Sequence, residues 1–490
     1  MESPRAADCR LVSRSVRLEA GSPSFRAVLD ALDRPRTVWD GVGEATVLAG
    51  GAAATLTARG PNRFDQIREA AESLFSSGDV HAGTEAACPR LFGGFTFHAE
   101  GPAGDAATVE TAAESAADGG ESTSAENAAA TSADTATSDR TAAGGESTSP
   151  WAAFPDARFV FPRVQVTITD RGPWLTVNAV GPEASVAAVE ARIETERERL
   201  GSLPAAAPET PRPGIDGRRR TTTPESWRTG VTTATDRITT GDLRKVVLAQ
   251  ALEVDLAADL AVGDILSRLG EKYPSCTRFL IEPAGPEPPA FFGATPERLV
   301  SLRGRTVETD ALAGTTGRGE TPAEDEWLAE ELLADAKNVH EHELVAETIR
   351  DQLAPFAASV STGDRQVKRL ATVQHIHTPI TAELAADTHV LSLVEALHPT
   401  PAVGGLPPDA ALETIRETEP FDRGWYAAPI GWVDAAGNGT FAVGLRSAVA
   451  TRRLATLFAG VGIVGDSDPD REWDEVELKF RPILDELESA

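Results

Sequence analysis

Apolar residues in this chain follow two alternating periods. From residue 225 onward, segments with apolar positions at helical spacing (about 225–239, 261–271, 324–353, 409–417 and 470–488) alternate with short β-prone runs. Those runs fall at 245–254, 277–282, 289–293, 297–303, 441–448 and 454–460, and no internal repeat joins them. The pattern predicts a mixed α/β region, 225–490, of the size of one large catalytic domain. Upstream, aromatic β-prone runs at 91–97, 159–161 and 164–168 flank a tract, 101–150, of Ala, Thr, Ser, Glu, Asp and Gly. With so few large apolar groups, that tract cannot offset its ordering entropy. It is expected to be a disordered loop between two strands, inside an N-terminal supporting portion spanning 1–215. The Pro- and Arg-rich stretch 203–224 reads as a linker.

Composition narrows the picture. A chain of 490 residues, 41% of them hydrophobic, is long enough to bury a large core. Its formal net charge of −29 argues against nucleic-acid and anionic-membrane partners. Few lysines, one methionine and abundant Asp and Glu suggest a halophilic source. The cysteines, Cys9, Cys88 and Cys276, are odd in number and widely spaced, which fits neither a disulfide framework nor a zinc site. A reducing, cytoplasmic setting is expected, since no apolar run suits a secretion signal or a membrane span.

Lysine is so rare here that each one invites a question. There are five, and Lys245 opens the apolar run Val246-Val247-Leu248-Ala249, whereas arginine supplies nearly all other positive charge. Arginine stays protonated at working pH; a buried lysine can be brought to act as a base. A lysine ending an edge strand with its head in water is the plainer alternative.

The predicted helix 324–353 starts with Glu324-Asp325-Glu326, as the macrodipole favours, and places Asn338, Glu341 and Val345 on one face. The predicted C-terminal helix repeats the device with Glu472, Glu475 and Lys479, and Pro482 should kink or end it. Carboxylates on two helices could clamp a hard divalent cation, Mg²⁺ being the natural choice, or could simply be a solvated acidic face. Gly-containing turns are predicted at 293–298, which sets Glu297 just past a turn, at 311–317 and at 459–462. The 311–317 segment suits a carboxylate or phosphate but lacks a P-loop lysine. His340 and His342 point to different helix faces and HExxH is absent, which disfavours a zinc hydrolase.

Taken in order, the motifs KVVLAQ (245–250), GATPERL (293–299), TDALAGT (309–315), KNVHEHELV (337–345), LHPTPAVGG (397–405), RGWYAAPIGW (423–432), FAVGLRSA (441–448), FAGVGIVGDSDP (458–469) and EWDEVELK (472–479) resemble the chorismate-utilising enzymes, most closely the isochorismate synthases. FGGFTF (92–97) and FVFPR (159–163) resemble that family's less specific supporting portion. The resemblance implies a large α/β (α+β) fold, a two-sheet β-sandwich flanked by helices with the active site in a deep cleft. It implies Lys245 as the base activating water for attack at C2 of chorismate, and Glu297 as the acid protonating the departing C4 hydroxyl. Glu341 and Glu475 are implied as direct Mg²⁺ ligands and Glu472 as a ligand through water. Gly314, Thr315, Arg446, Gly460 and Lys479 would bind substrate carboxylates, with His398 and Ala402 lining the ring. Asn338 stands where some relatives place a carboxylate.

Exchanging a hydroxyl between C4 and C2 requires a base and an acid whose pKa values are pushed apart. Ala313 occupies the position of the covalent lysine in aminodeoxychorismate synthases, and anthranilate synthases lack the water-activating lysine. Salicylate synthase shares the first step and is the nearest alternative. A non-catalytic regulatory homologue is opposed by the intact Lys245, Glu297, Glu341 and Glu475, and a Mg-dependent phosphohydrolase by the lack of phosphate-cradling glycines at a strand end. The protein is expected to act on chorismate as a monomer without a glutaminase subunit, with menaquinone synthesis the better guess for its pathway.

Overall fold

A computed structural model describes residues 10–18, 24–76, 78–99, 106–111, 149–182, 184–206 and 208–489. Its centre is a pair of long antiparallel strands, Thr46–Ala58 and Ala157–Thr169, in register from Thr46↔Ile168 to Ala58↔Ala157 around a bulge. Two limbs of sheet grow from this pair. One runs through Arg36–Asp40, Thr277–Glu282, Ala290–Thr295, Ser447–Ala450 and Leu454–Ile463 to Lys245–Leu256. The other runs through Arg90–Phe95, Pro429–Asp434, Gly439–Val443, Arg298–Arg303 and Thr306–Gly317 to Val373–Leu384. The expected mixed α/β fold is therefore present, and its two layers are limbs of one hydrogen-bonded sheet. Helices flank the limbs, and no described helix is long and apolar enough to cross a membrane.

Each limb passes from strands of the early part of the sequence to strands of the later part at a single junction. Arg36–Asp40 pairs with Thr277–Glu282, and Arg90–Phe95 with Pro429–Asp434. Within the stretch read as a linker, Ile215–Arg220 pairs with Lys245–Leu256. In this strand Arg218, Arg219 and Arg220 pair with Glu488, Glu253 and Glu477. The expected disordered tract also contributes a strand, Thr108–Thr111, on the edge beside Ala54–Thr57. Its larger part, 112–148, lies outside the described residues.

Four further local expectations are corrected. The segment 324–353 is two helices, Pro322–Ala334 and Ala336–Leu353, because Asp335 leaves helical geometry (ψ 116°) and caps the second by accepting the Asn338 N–H at 2.8 Å. Residues 311–317 are not a free turn but the end of strand Thr306–Gly317, interrupted by a bulge at Gly314. The run 441–448 divides between two strands, Gly439–Val443 and Ser447–Ala450. Helix Pro469–Leu487 does not end at Pro482, which lies inside it; the carbonyl deprived of its donor is that of Leu478, a residue on the exposed side.

Candidate active site

The limbs face one another across a cavity of about 250 Å³. One wall comes from the strands Lys245–Leu256 and Leu454–Ile463, the other from Leu312–Thr315 and His375; the helices bearing Glu341 and Glu475 close the side.

Lys245 is the first residue of its strand, and its side chain is only 1% exposed. Its Nζ lies 2.8 Å from Glu341 Oε1, so the plain alternative of a solvated strand-end lysine is not what the fold builds. Room for this pair comes from Gly462 on the neighbouring strand. A Cβ there would fall 2.5 Å from Glu341 Oε1 and 3.0 Å from Lys245 Cε.

Glu297 sits in the short turn between Ala290–Thr295 and Arg298–Arg303, fixed by its N–H donating to Thr295 Oγ1 and its carbonyl accepting from Val443 N–H. Burial pushes its carboxyl up to about 7, against the opposing pull of Lys245 and Lys368. Lys368 itself is anchored by donating to the Pro296 carbonyl at 2.7 Å. A carboxylic acid with that pKa can hold and deliver a proton near neutrality.

Donors for an anion gather at the inner end. Arg446 is buried with a left-handed φ of 50°, and one of its NH2 groups lies 3.3 Å from His375 Nε2. A guanidinium only donates, so Nε2 accepts and the ring proton sits on Nδ1, 3.1 Å from Thr315 Oγ1. Burial, then the Arg446 charge, hold His375 well below its ordinary pKa and keep the ring neutral. The Thr315 hydroxyl proton is left for the cavity. Gly314 beside it has φ +74°, and a Cβ would crowd Asn338 and Ile376 at 3.2 Å.

The carboxylate side is held by lysines. Glu475 pairs with Lys479 at 2.7 Å, Lys479 also donates to the Gly460 carbonyl at 2.9 Å, and Lys337 stands 3.6 Å from Glu472. Burial, reinforced by the charge of Glu475, raises the pKa of Glu472. An all-oxygen donor set with such mutual repulsion suits a hard divalent cation. As placed, no three acidic, histidine or cysteine side chains among the described residues converge closely enough to hold one.

A buried ion pair braces the wall that carries Lys245. Arg423 and Glu419 meet at 2.5 Å with side chains 1% and 3% exposed. Arg423 donates to the carbonyls of Val247 and Val403, while Glu419 accepts the Ala249 N–H. The pair thus takes over the backbone edge of the Lys245 strand where its short partner Gly405–Leu406 ends.

Residues 122–488 match the family described as "Chorismate binding enzyme". The chain belongs to this family. It is 36% identical over 350 residues to the isochorismate synthase MenF of Bacillus subtilis, covering 69% of this chain and 71% of that one. It is 40% identical over 339 residues to the salicylate biosynthesis isochorismate synthase of Pseudomonas aeruginosa, covering 69% and 70%. The menaquinone-specific isochorismate synthase from Escherichia coli shares the fold of this chorismate binding enzyme, with a TM-score of 0.74 at 23% identity over 98% of this chain and 95% of that one. So does anthranilate synthase component I from Streptococcus pneumoniae, at 0.68 and 20% identity over 89% and 91%.

Of the residues singled out in the sequence of this chorismate binding enzyme, Lys245, Glu297, Gly314, Thr315, Glu341, Ala402, Arg446, Gly460, Glu472, Glu475 and Lys479 line the one cavity. Asn338 lines it too, its side-chain amide donating to Asp335. His398 does not. Its Nε2 lies 3.2 Å from the Phe97 carbonyl, its ring packs between Phe64 and Phe97, and burial lowers its pKa to about 3. The aromatic cluster claims the ring, and Ala402 and Val403 carry that stretch to the cavity. Sequence reasoning missed His375, although its position in a β-prone run, alternating with His377, was a usable signal. It also missed Lys337, Arg423 and Arg471 as cavity residues.

Proposed function

We propose that this chorismate binding enzyme is an isochorismate synthase, an isomerase that exchanges the C4 hydroxyl of chorismate for one at C2. The observation that supports this most directly is the placement of a buried lysine and a buried, proton-holding glutamic acid on one small cavity. In this reading Lys245 Nζ takes a proton from water as its oxygen bonds to C2. The ring double bonds shift, and Glu297 delivers its proton to the C4 hydroxyl, which leaves as water. One proton is taken and one is given, so the substrate is isomerised without net change. Arg446 and Thr315 hold a carboxylate against the inner wall, with His375 fixing both donors. Glu341, Glu472 and Glu475 would hold Mg²⁺, whose contribution when bound is to offset negative charge on the substrate.

Menaquinone synthesis is the reading offered for the pathway. Ala313, buried beside Thr315, leaves no amine for a covalent route. Incubation with chorismate and Mg²⁺ in high KCl, with and without ammonium, followed by mass detection, tests the assignment. A product of unchanged mass, indifferent to ammonium and lost with chelator, is expected. Pyruvate release would replace isomerisation with salicylate chemistry, or with anthranilate chemistry if it required ammonium.

A further inference from the structure

The cavity is lined by six cationic side chains, and four of them have carboxylate partners. Lys245 pairs with Glu341, Lys479 with Glu475, Lys337 with Glu472, and Arg423 with Glu419. Arg446, deep and buried, hydrogen-bonds the neutral His375 and forms no ion pair among the described residues. Arg471 is the sixth. It is exposed on the first turn of helix Pro469–Leu487, and among the described residues its guanidinium has neither an ion pair nor a hydrogen bond. Arginines elsewhere on the same helix and around it are paired: Arg481 with Asp485, Arg228 with Asp470, and Arg220 with Glu477.

Arg59, Arg244, Arg350 and Arg416 also have neither an ion pair nor a side-chain hydrogen bond among the described residues, but none of them lines the cavity, so Arg471 is set apart by offering a free guanidinium to it. Asp466 and Asp468 line the cavity close by in sequence, and Asp468 is occupied in capping the helix through the N–H groups of Asp470 and Arg471. A dianionic substrate approaching this rim meets a repulsive field from the protein as a whole. A free cation at the opening lowers that barrier locally, and a charge in water acts over about 10 Å at 0.1 M salt but only about 3 Å at 1 M.

We propose that Arg471 is a capture residue for the dicarboxylate substrate. It engages one carboxylate at the rim before that substrate reaches the buried Arg446. It sets how readily substrate is captured and not the rate of the chemical step. This rests on the chorismate reading above.

The test compares Arg471→Gln, Arg471→Glu and Arg471→Lys with wild type and with Arg197→Gln, a control that does not line the cavity. Each is assayed for kcat and KM with chorismate across a KCl series, over the range in which circular dichroism shows all five proteins folded. Expected is a 3- to 10-fold rise in KM for R471Q at the lowest salt, larger for R471E, shrinking toward unity as KCl rises, with kcat unchanged. R471K should return KM to within about twofold of wild type. An unchanged KM, a KM effect that ignores salt, a lowered kcat, or an equal effect from Arg197→Gln would each overturn the assignment. Failure of the wild-type protein to consume chorismate would instead remove the proposed function, so the two failures are separable.

Discussion

Gly462 lies against Lys245 so closely that a single added carbon would reach 3.0 Å from the lysine Cε and 2.5 Å from its partner Glu341. The absence of a side chain on one strand is what lets the charged pair form on the next. Gly462→Ala should therefore displace Lys245 with little harm to the fold. The expected result is a fall in kcat/KM of at least about tenfold, with a loss of stability no larger than about 1–3 kcal/mol. Steady-state kinetics beside urea unfolding would check it, and full activity would contradict the placement of Lys245.

Lys245→Ala removes the proposed base. Turnover of chorismate should drop by about 10²–10⁴-fold while circular dichroism stays unchanged. Retention of wild-type turnover would end the catalytic assignment of this residue.

Glu297 gives a pH dependence with a definite sign. Its carboxyl is raised from an ordinary 4.5 to about 7. As the acid, it must carry its proton, so kcat/KM, which follows the free enzyme, should fall as pH rises through about 7. The folded state also holds a proton that the unfolded chain releases above 4.5. The stabilising contribution is therefore complete below 4.5 and lost as pH rises to the folded-state value, by about 3 kcal/mol in all. Glu297→Gln should abolish turnover and, in pH-dependent chemical unfolding, remove that loss. A wild-type stability that is flat from pH 4.5 to 8 relative to the variant would refute the raised pKa.

Arg423 and Glu419 are buried together, so their separate removal differs from their joint replacement. Arg423→Met leaves a buried carboxylate unpaired and should cost about 3–5 kcal/mol, whereas Glu419→Gln with Arg423→Met should recover most of it. Denaturant midpoints of wild type, Arg423→Met, Glu419→Gln and the double variant decide the matter. An additive double variant would mean that the two residues do not act as a pair.

Deleting residues 112–148 should leave activity and solubility intact, because strand Thr108–Thr111 and the residues from Ser149 onward stay in place. Trp151→Ala should not be so mild. Trp151 stacks on Phe458 of the cavity wall at 5.3 Å and meets Phe291 edge-on. A loss of about 3–5 kcal/mol is expected from thermal unfolding.

Much of this is legible in the sequence. The apolar run after Lys245 is a buried strand, and a turn does form at Glu297, which sits in it and not just past it; both signals are local, period and turn chemistry within a few residues. The helix break at Asp335 was legible in kind, since Asp is a strong cap, but it was masked by helix formers on both sides. What the sequence could not disclose is pairing across distance. Nothing near Arg423 announces that it will hydrogen-bond Val247 or meet Glu419 inside the protein. The His398 ring was likewise diverted by Phe64, a residue remote in the chain. Gly462 illustrates the same limit, since a small residue in a strand gives no hint of which side chain needs the space.

The junction of an early strand with a late one in each limb has a consequence for how the chain is made. Arg90–Phe95 has Pro429–Asp434 as one of its two neighbours, and Arg36–Asp40 has Thr277–Glu282. At a synthesis rate of about 5–20 residues per second, the first strand waits tens of seconds on the ribosome for its partner. During that interval an apolar edge stands open to other nascent chains. The protein is thus expected to depend on chaperone protection until nearly all of it has been translated, and its upstream half should be poorly soluble when expressed alone.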